Sequence, residues 1–360
     1  MVTRLPRDIQ DQLDILEPRI RAAFIASIEN VTSAIRIDEL IAMIRAGDIE
    51  GAVEALRLEQ GFFGPLADAQ RETFMSGGAL AATSIPVRDP LTGRRIILGF
   101  DGRHDRAEEW LRVASSDLIT EVIEDQKEMA RVVLRQALEI GQHPRDTARE
   151  IVGFVNAVTG KREGGILGLD VARRDVHLAV MEGMKTAKGV RGLVVVPRGG
   201  GEPYVRYTSV NRATANRILA AYHRGTAVAP ADIEISRKQL WNKLLKDRGD
   251  TIGRTESLNG LRAGRHEGFM QLVERGKVRD DQIEITWSAT MDSRTRDSHR
   301  GLNGKKVRIG EFFEPAPGVR LQYPGDLRHS SDRKALAAEV IQCRCYASYR
   351  VKNDLLRDEP

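Results

Sequence analysis

Between Trp287 and Tyr349 the chain collects the residue types that chemistry needs. Asp292 is followed by Thr295 and Arg296 at three and four positions and by His299 at seven, and the only two cysteines, Cys343 and Cys345, lie further on. A carboxylate and an imidazole are the parts of a metal-dependent hydrolase, with Asp292, His299 and Glu339 as the set such a nuclease would use. Two thiolates and an imidazole are zinc donors, and Asp292, His266 or His329 would complete a tetrahedron around His299, Cys343 and Cys345. Against zinc, Cys-x-Cys on a strand puts both sulfurs on one face with no turn between them, whereas structural zinc sites favour two to four intervening residues. The same two residues cannot form a useful disulfide, because a bridge across one residue is strained and closes almost no loop. The expectation is therefore no cofactor, with at least one cysteine packed as a small hydrophobe, and zinc as the alternative.

Nucleophilic catalysis finds no support. Ser298 beside His299 cannot make a triad through adjacency, and no glycine-flanked nucleophile elbow is present. Arg254 with a late glutamate is the corresponding start of an ADP-ribosyl transferase, but neither enzyme class shows its full spacing set. The passage from Thr159 to Asp170, TGKREGGILGLD, is glycine-rich yet lacks the Walker order, so it reads as a hinge rather than a phosphate loop. No catalytic residue is expected.

These side chains need elements to hold them. Asp292 is a suitable N-cap for two helical turns over residues 293–300, with Gly301 as the left-handed stop, and that helix carries Asp292, Thr295 or Arg296, and His299 on one face. The run IEITW before it and CRCYASYRV after it read as strands. Upstream the period is helical. Leu13, Ile20, Phe24 and Ile28 share one face, Ile37, Leu40, Ile41 and Ile44 another, with Gly47 as stop and Asp48 as the next cap. A helix across Leu66 to Phe74 follows, then a hairpin pairing Ile85–Arg88 with Arg95–Gly99, a long helix from Asp105 to near Gly141, and another over residues 146–158. Residues 170–187 form a helix, Leu193–Pro197 and Tyr204–Tyr207 a second hairpin, and Ser209 caps a helix to Tyr222. The stretch after Pro230 is helical but bent or broken near Gly249.

The fold class is α+β, with a mostly helical N-terminal two-thirds interrupted by short hairpins and a small C-terminal α+β module. The chain divides at the composition shifts into 1–75, 76–168, 169–249, 250–350 and a tail, 351–360. A hydrophobic share of 41% and a charged share of 30% are globular values, and no apolar run reaches the roughly 20 residues of a membrane span. The start lacks the apolar core of a signal peptide, so synthesis in the cytoplasm is expected. Of the net charge of +5, all belongs to residues 231–360, which carry 25 Lys and Arg against 20 Asp and Glu. Arg294, Arg296, Arg300, Lys305, Lys306 and Arg308 concentrate it. Such a run is a solvated face or a contact for duplex phosphates, and the scarcity of aromatics argues against a single-strand platform.

One ordered set of motifs carries a resemblance: Arg254-Thr255-Glu256, Trp287, Asp292-Ser293-Arg294-Thr295, His299, Gly304, Tyr323-Pro324-Gly325 and Cys343-Arg344-Cys345. In order and rough spacing it resembles the phage Mu F-like head morphogenesis proteins, minor capsid proteins of tailed phages and prophages, over about residues 250–350. The resemblance implies a structural protein of the capsid interior, associated with the portal and other capsid proteins and touching double-stranded DNA without sequence preference. It also implies that Arg254, Glu256, Asp292, Arg294, His299 and Arg344 form a structural charge network, while Arg296, Arg300, Lys305, Lys306 and Arg308 face DNA. No membrane partner is expected.

Overall fold

Apolar residues returning every three or four positions generate most of the chain's regular structure. The computed structural model describes residues 5–84 and 99–352, so the expected hairpin of Ile85–Arg88 and Arg95–Gly99 lies, but for Gly99, outside the described residues, as does most of the tail. Helix α1 (Arg7–Ala34) buries Leu13, Ile20, Phe24 and Ile28. Helix α2 (Ile37–Ala46) ends at Gly47 with φ +71°, and Asp48 caps α3 (Ile49–Glu54) by accepting from Gly51 N at 2.9 Å. Helix α4 (Gly64–Ser84) runs past Phe74 through two glycines, and α5 (Asp105–Glu139) follows.

Helix α6 (Pro144–Val152) is shorter than its periodicity suggests, because Gly153 takes φ +74° and turns the chain into strand β1 (Phe154–Val155), paired with β2 (Arg162–Glu163). A Cβ on Gly153 would lie 2.2 Å from Glu163 O, so no other residue fits there. Asp170 caps α7 (Val171–Met184), α8 (Ala187–Leu193) comes next, and β3 (Val194–Val195) pairs with β4 (Tyr204–Val205) as expected. Asn211, not Ser209, caps α9 (Arg212–Arg224), accepting from Thr214 N at 2.8 Å. Helix α10 (Pro230–Glu274) is continuous for 45 residues, so of the bend or break expected near Gly249 the break does not occur. A mid-helix glycine costs only about 1 kcal/mol relative to alanine, which a long packed helix absorbs.

The C-terminal elements are β5 (Ile283–Ser288), α11 (Asp297–Leu302), β6 (Lys306–Arg308), α12 (Arg333–Val340) and β7 (Tyr346–Val351). Their antiparallel sheet has the order β6-β5-β7, with Ile285 opposite Val307 and Tyr349, which fits the expected α+β class. The expected helix over residues 293–300 starts late. Asp292 instead closes a turn, accepting from Arg294 N at 3.0 Å, and α11 begins at Asp297.

Two compact units emerge. One consists of Met1–Arg21, Leu66–Asp117 and Asp250–Pro360, the other of Ala22–Pro65 and Leu118–Gly249. These are assemblies of separated stretches, whereas the reading from sequence cuts the chain into consecutive blocks; the two divisions share the cut at 249/250. In the unit of Ala22–Pro65 and Leu118–Gly249, residues 164–169 are buried, which overturns the hinge reading. Gln126 accepts from Gly168 N at 2.7 Å and donates to Leu169 O at 2.8 Å, Trp241 Nε1 donates to Leu167 O at 3.1 Å, and the buried Arg248 donates to Gly168 O at 3.2 Å. Glycine serves there for close packing: a Cβ on Gly168 would meet Leu245 at 2.6 Å and Ile28 at 2.9 Å.

In the other unit the glycines of α10 recur at a four-residue spacing. Added Cβ atoms on Gly260 and Gly264 would strike Thr73 Oγ1 and Phe74 O of α4 at 1.8 and 1.9 Å, and one on Gly268 would lie 2.6 Å from Ala81. Two backbones therefore meet along this line. The core beside it joins Phe74, Trp110 and Phe269 to Ile283, Ile285, Trp287, Phe313, Leu321 and Tyr323, so the C-terminal sheet is built on α4, α5 and α10 segments of its own unit.

Candidate functional site

Strand β5 alternates, with Ile283, Ile285 and Trp287 buried on the face that meets the core. Trp287 is fully buried, and its ring meets Phe313 and His299 edge-on, each at 5.2 Å between centroids. Helix α11 buries His299 and Leu302. From this position His299 Nδ1 faces two sulfurs, Cys343 Sγ at 3.7 Å and Cys345 Sγ at 3.4 Å. Its other nitrogen, Nε2, lies 2.8 Å from Glu339 Oε2 of α12, with the N–H aimed off the line between them. Ser298 Oγ donates to the same oxygen at 2.9 Å, which fixes the carboxylate.

The cysteines converge because their segment is not the strand expected from CRCYASYRV. Strand β7 starts at Tyr346, and Gln342 at φ +54° turns the chain just before Cys343. The turn is tied down. Gln342 N donates to Thr255 Oγ1 at 3.3 Å, Cys343 N to Val340 O at 3.2 Å, and Thr290 Oγ1 to Arg344 O at 3.1 Å. The guanidinium of Arg262, buried on α10, donates from Nη2 to the carbonyls of Cys343, at 3.0 Å, and Cys345.

Arg344 points away from the sulfurs and grips Asp292 with two bonds, at 2.5 and 2.6 Å. With further bonds from Arg294 N and Thr295 Oγ1, this pair holds the Asp292 carboxyl well below the usual carboxylate range. The two thiols titrate as a pair. Hydrogen bonding between them lowers Cys343, helped by Arg262 and His299, and the same contact together with burial pushes Cys345 up. The buried Trp287 beside Cys345 also favours the charged form of that thiol.

The expected charge network of Arg254, Glu256, Asp292, Arg294, His299 and Arg344 thus separates into pieces. Asp292 and Arg344 form its centre, with Arg294 Nη2 at 3.9 Å from Asp292. His299 belongs to the sulfur cluster. Arg254 pairs with Glu17 of α1 at 3.5 Å rather than with Asp292, and Glu256 accepts from Gln70 at 2.8 Å. These partners lie 237 and 186 positions away, too far to read from spacing.

Of the cations expected at DNA, Arg296 donates to Ile341 O at 2.6 Å, Arg300 to Thr295 O at 3.1 Å and to Asp292 O, and Lys306 pairs with Glu284 at 2.8 Å. Lys305 and Arg308 are exposed. The fourth zinc donors considered above are engaged elsewhere. His266 Nδ1 lies 3.1 Å from Tyr349 Oη, His329 Nδ1 lies 2.7 Å from Asp326, and Asp292 is held by Arg344. Sequence reasoning missed Arg262. Its signal was available, since Asn259, Arg262 and His266 recur at three and four positions on α10, a polar stripe at the spacing of a buried face.

The neighbours of this chain agree with the geometry's location. Residues 214–348 match the family of Phage Mu protein F like proteins. A relative among characterised proteins is Minor head protein GP7 of Bacillus phage SPP1, 26% identical over 143 residues, which are 39% of this chain and 42% of that protein. The chain thus matches less than half the length of this relative. No solved structure matches significantly. The family match takes in Trp287, Asp292, His299 and both cysteines, so over this stretch the chain is similar to the Mu F-like proteins.

Proposed function

We propose that this chain is a minor head protein of a tailed phage or prophage-derived particle, acting in head morphogenesis inside the capsid beside the portal. The observation that carries the reading is the use made of the chemistry-bearing residues. Asp292 is consumed by Arg344, and His299 is buried against sulfur, so the two offer no shared open site for a nuclease metal. Among the described residues the His, Cys, Asp and Glu side chains able to converge on one ion are His299, Cys343 and Cys345, without Asp292. The region works through its shape and contacts, not by catalysis. Plasmid incubated with the purified chain and magnesium or manganese should stay intact; nicking that Asp292→Ala abolishes would establish the enzymatic alternative.

Contact with double-stranded DNA follows from the exposed cations. Lys305 and Arg308 are free of the local carbonyl bonds that hold Arg296 and Arg300, and Lys306 is half engaged by Glu284. Binding should be weak and sequence-indifferent, with a log-log salt slope of about −0.9 for each phosphate contacted. The triple change of Lys305, Lys306 and Arg308 to Ala should lower affinity and flatten that slope. Unchanged binding would remove this surface from the account. For the portal, co-expression of the chain with the portal protein of the same particle should give a complex on size exclusion, and separate elution at low and high salt would contradict the association.

A further inference from the structure

We propose that His299 Nδ1, Cys343 Sγ and Cys345 Sγ bind one zinc ion, which fastens α11 to the turn that leads into β7. The three donor atoms lie within 4.8 Å of one another, and all three residues are buried. Zinc bonds of about 2.0 Å to nitrogen and 2.3 Å to sulfur at a tetrahedral angle put N and S about 3.5 Å apart. The distances here are 3.4 and 3.7 Å. Both sulfurs converge on the same imidazole nitrogen, as the ligands of one ion do.

The surroundings fit a metal-ligating histidine. Glu339 Oε2 lies 2.8 Å from Nε2, on the far side of the ring from the sulfurs that Nδ1 faces, a carboxylate beside a histidine as metal sites have it. The objection raised by a Cys-x-Cys strand does not apply, because Gln342 in the left-handed region and the irregular backbone of residues 343–345 aim both sulfurs inward. Imidazole with thiolates selects zinc over hard cations. Among the described residues no fourth His, Cys, Asp or Glu converges with these three, so the fourth position goes to a small non-protein donor such as water. Loading the ion releases the thiol protons to solvent.

A thiol, an imidazole and a carboxylate in line also describe a cysteine nucleophile. Burial decides against it: Cys343 is 3% and Cys345 2% exposed, with Trp287 packed against His299, so no substrate reaches the sulfurs.

The test uses the full chain, prepared with zinc in the medium and without a metal-binding tag. Elemental analysis should find about one zinc per chain, released when a mercurial modifies both thiols. Cobalt substituted for zinc should give a thiolate-to-cobalt charge-transfer band. Cys343→Ser and Cys345→Ser should lose that band, and Glu339→Gln should keep it while weakening affinity roughly 10- to 100-fold. Should the cysteine variants fail to fold, the wild-type measurements decide alone. Folded wild-type chain that carries no zinc and gives no cobalt–thiolate band overturns the proposal, as does zinc that stays bound after both thiols are blocked.

Discussion

At the scale of single residues, the pair of Asp292 and Arg344 is the most legible outcome of the sequence. Its partners are 52 positions apart, and the resemblance had put both in one network; an irregular segment, not strand alternation, turns the cysteines inward and Arg344 toward Asp292. What spacing could not give is the third partner of each group. Glu339 beside His299, Arg262 on the cysteine carbonyls and Glu17 beside Arg254 come from elements whose approach is set by tertiary packing. The pair carries a pH signature. Because Arg344 holds the folded carboxyl below its unfolded value of about 3.9, its stabilisation is complete above that pH and is lost as pH falls. Asp292→Asn should therefore lower the melting temperature near neutrality, and the gap from wild type should close on acidification below about pH 4. A gap that stays constant down to acid would assign the loss to something other than the carboxylate's charge.

Among elements, some short-range signals held and others did not, since Asn211 rather than Ser209 caps α9 and α11 starts at Asp297, while the long-range ones were silent. Gly47, Asp48 and the hairpin of β3 and β4 were readable because caps and turns depend on neighbours in sequence. The continuity of α10 through Gly249 and the burial of residues 164–169 were not, since both follow from packing that no local window reports. The line of Gly260, Gly264 and Gly268 was visible as a four-residue repeat but had no meaning until α4 lay on it. Gly264→Ala should destabilise the chain by about 1–3 kcal/mol, the usual penalty for overpacking where backbone cannot yield. Gly301→Ala is the control, as nothing lies within 4 Å of its added Cβ. Denaturant unfolding compares the two, and equal midpoints would show that α4 and α10 do not meet so closely.

For the whole molecule, charge and composition pointed to a globular chain with a basic C-terminal part, and among the described residues no helix is long and apolar enough to cross a membrane. The discontinuous units were beyond reach from sequence, because residues 66–117 and 250–352 share a core without sharing any local pattern. Burial corrects where a protease enters. Residues 164–169 are covered and tied to Gln126, Trp241 and Arg248, while 157–161 and 198–202 are exposed, so among the described residues limited digestion should cut first at those two tips. Early cleavage within 287–346 would contradict a packed C-terminal region. The central claim, that the chain is a component of a phage-type head, is tested most directly by quantitative mass spectrometry of density-purified heads assembled with and without it. The account predicts the chain in the purified heads at a fixed low ratio to the major capsid protein, retained through high salt; heads of normal composition and yield that never contain it would contradict the account.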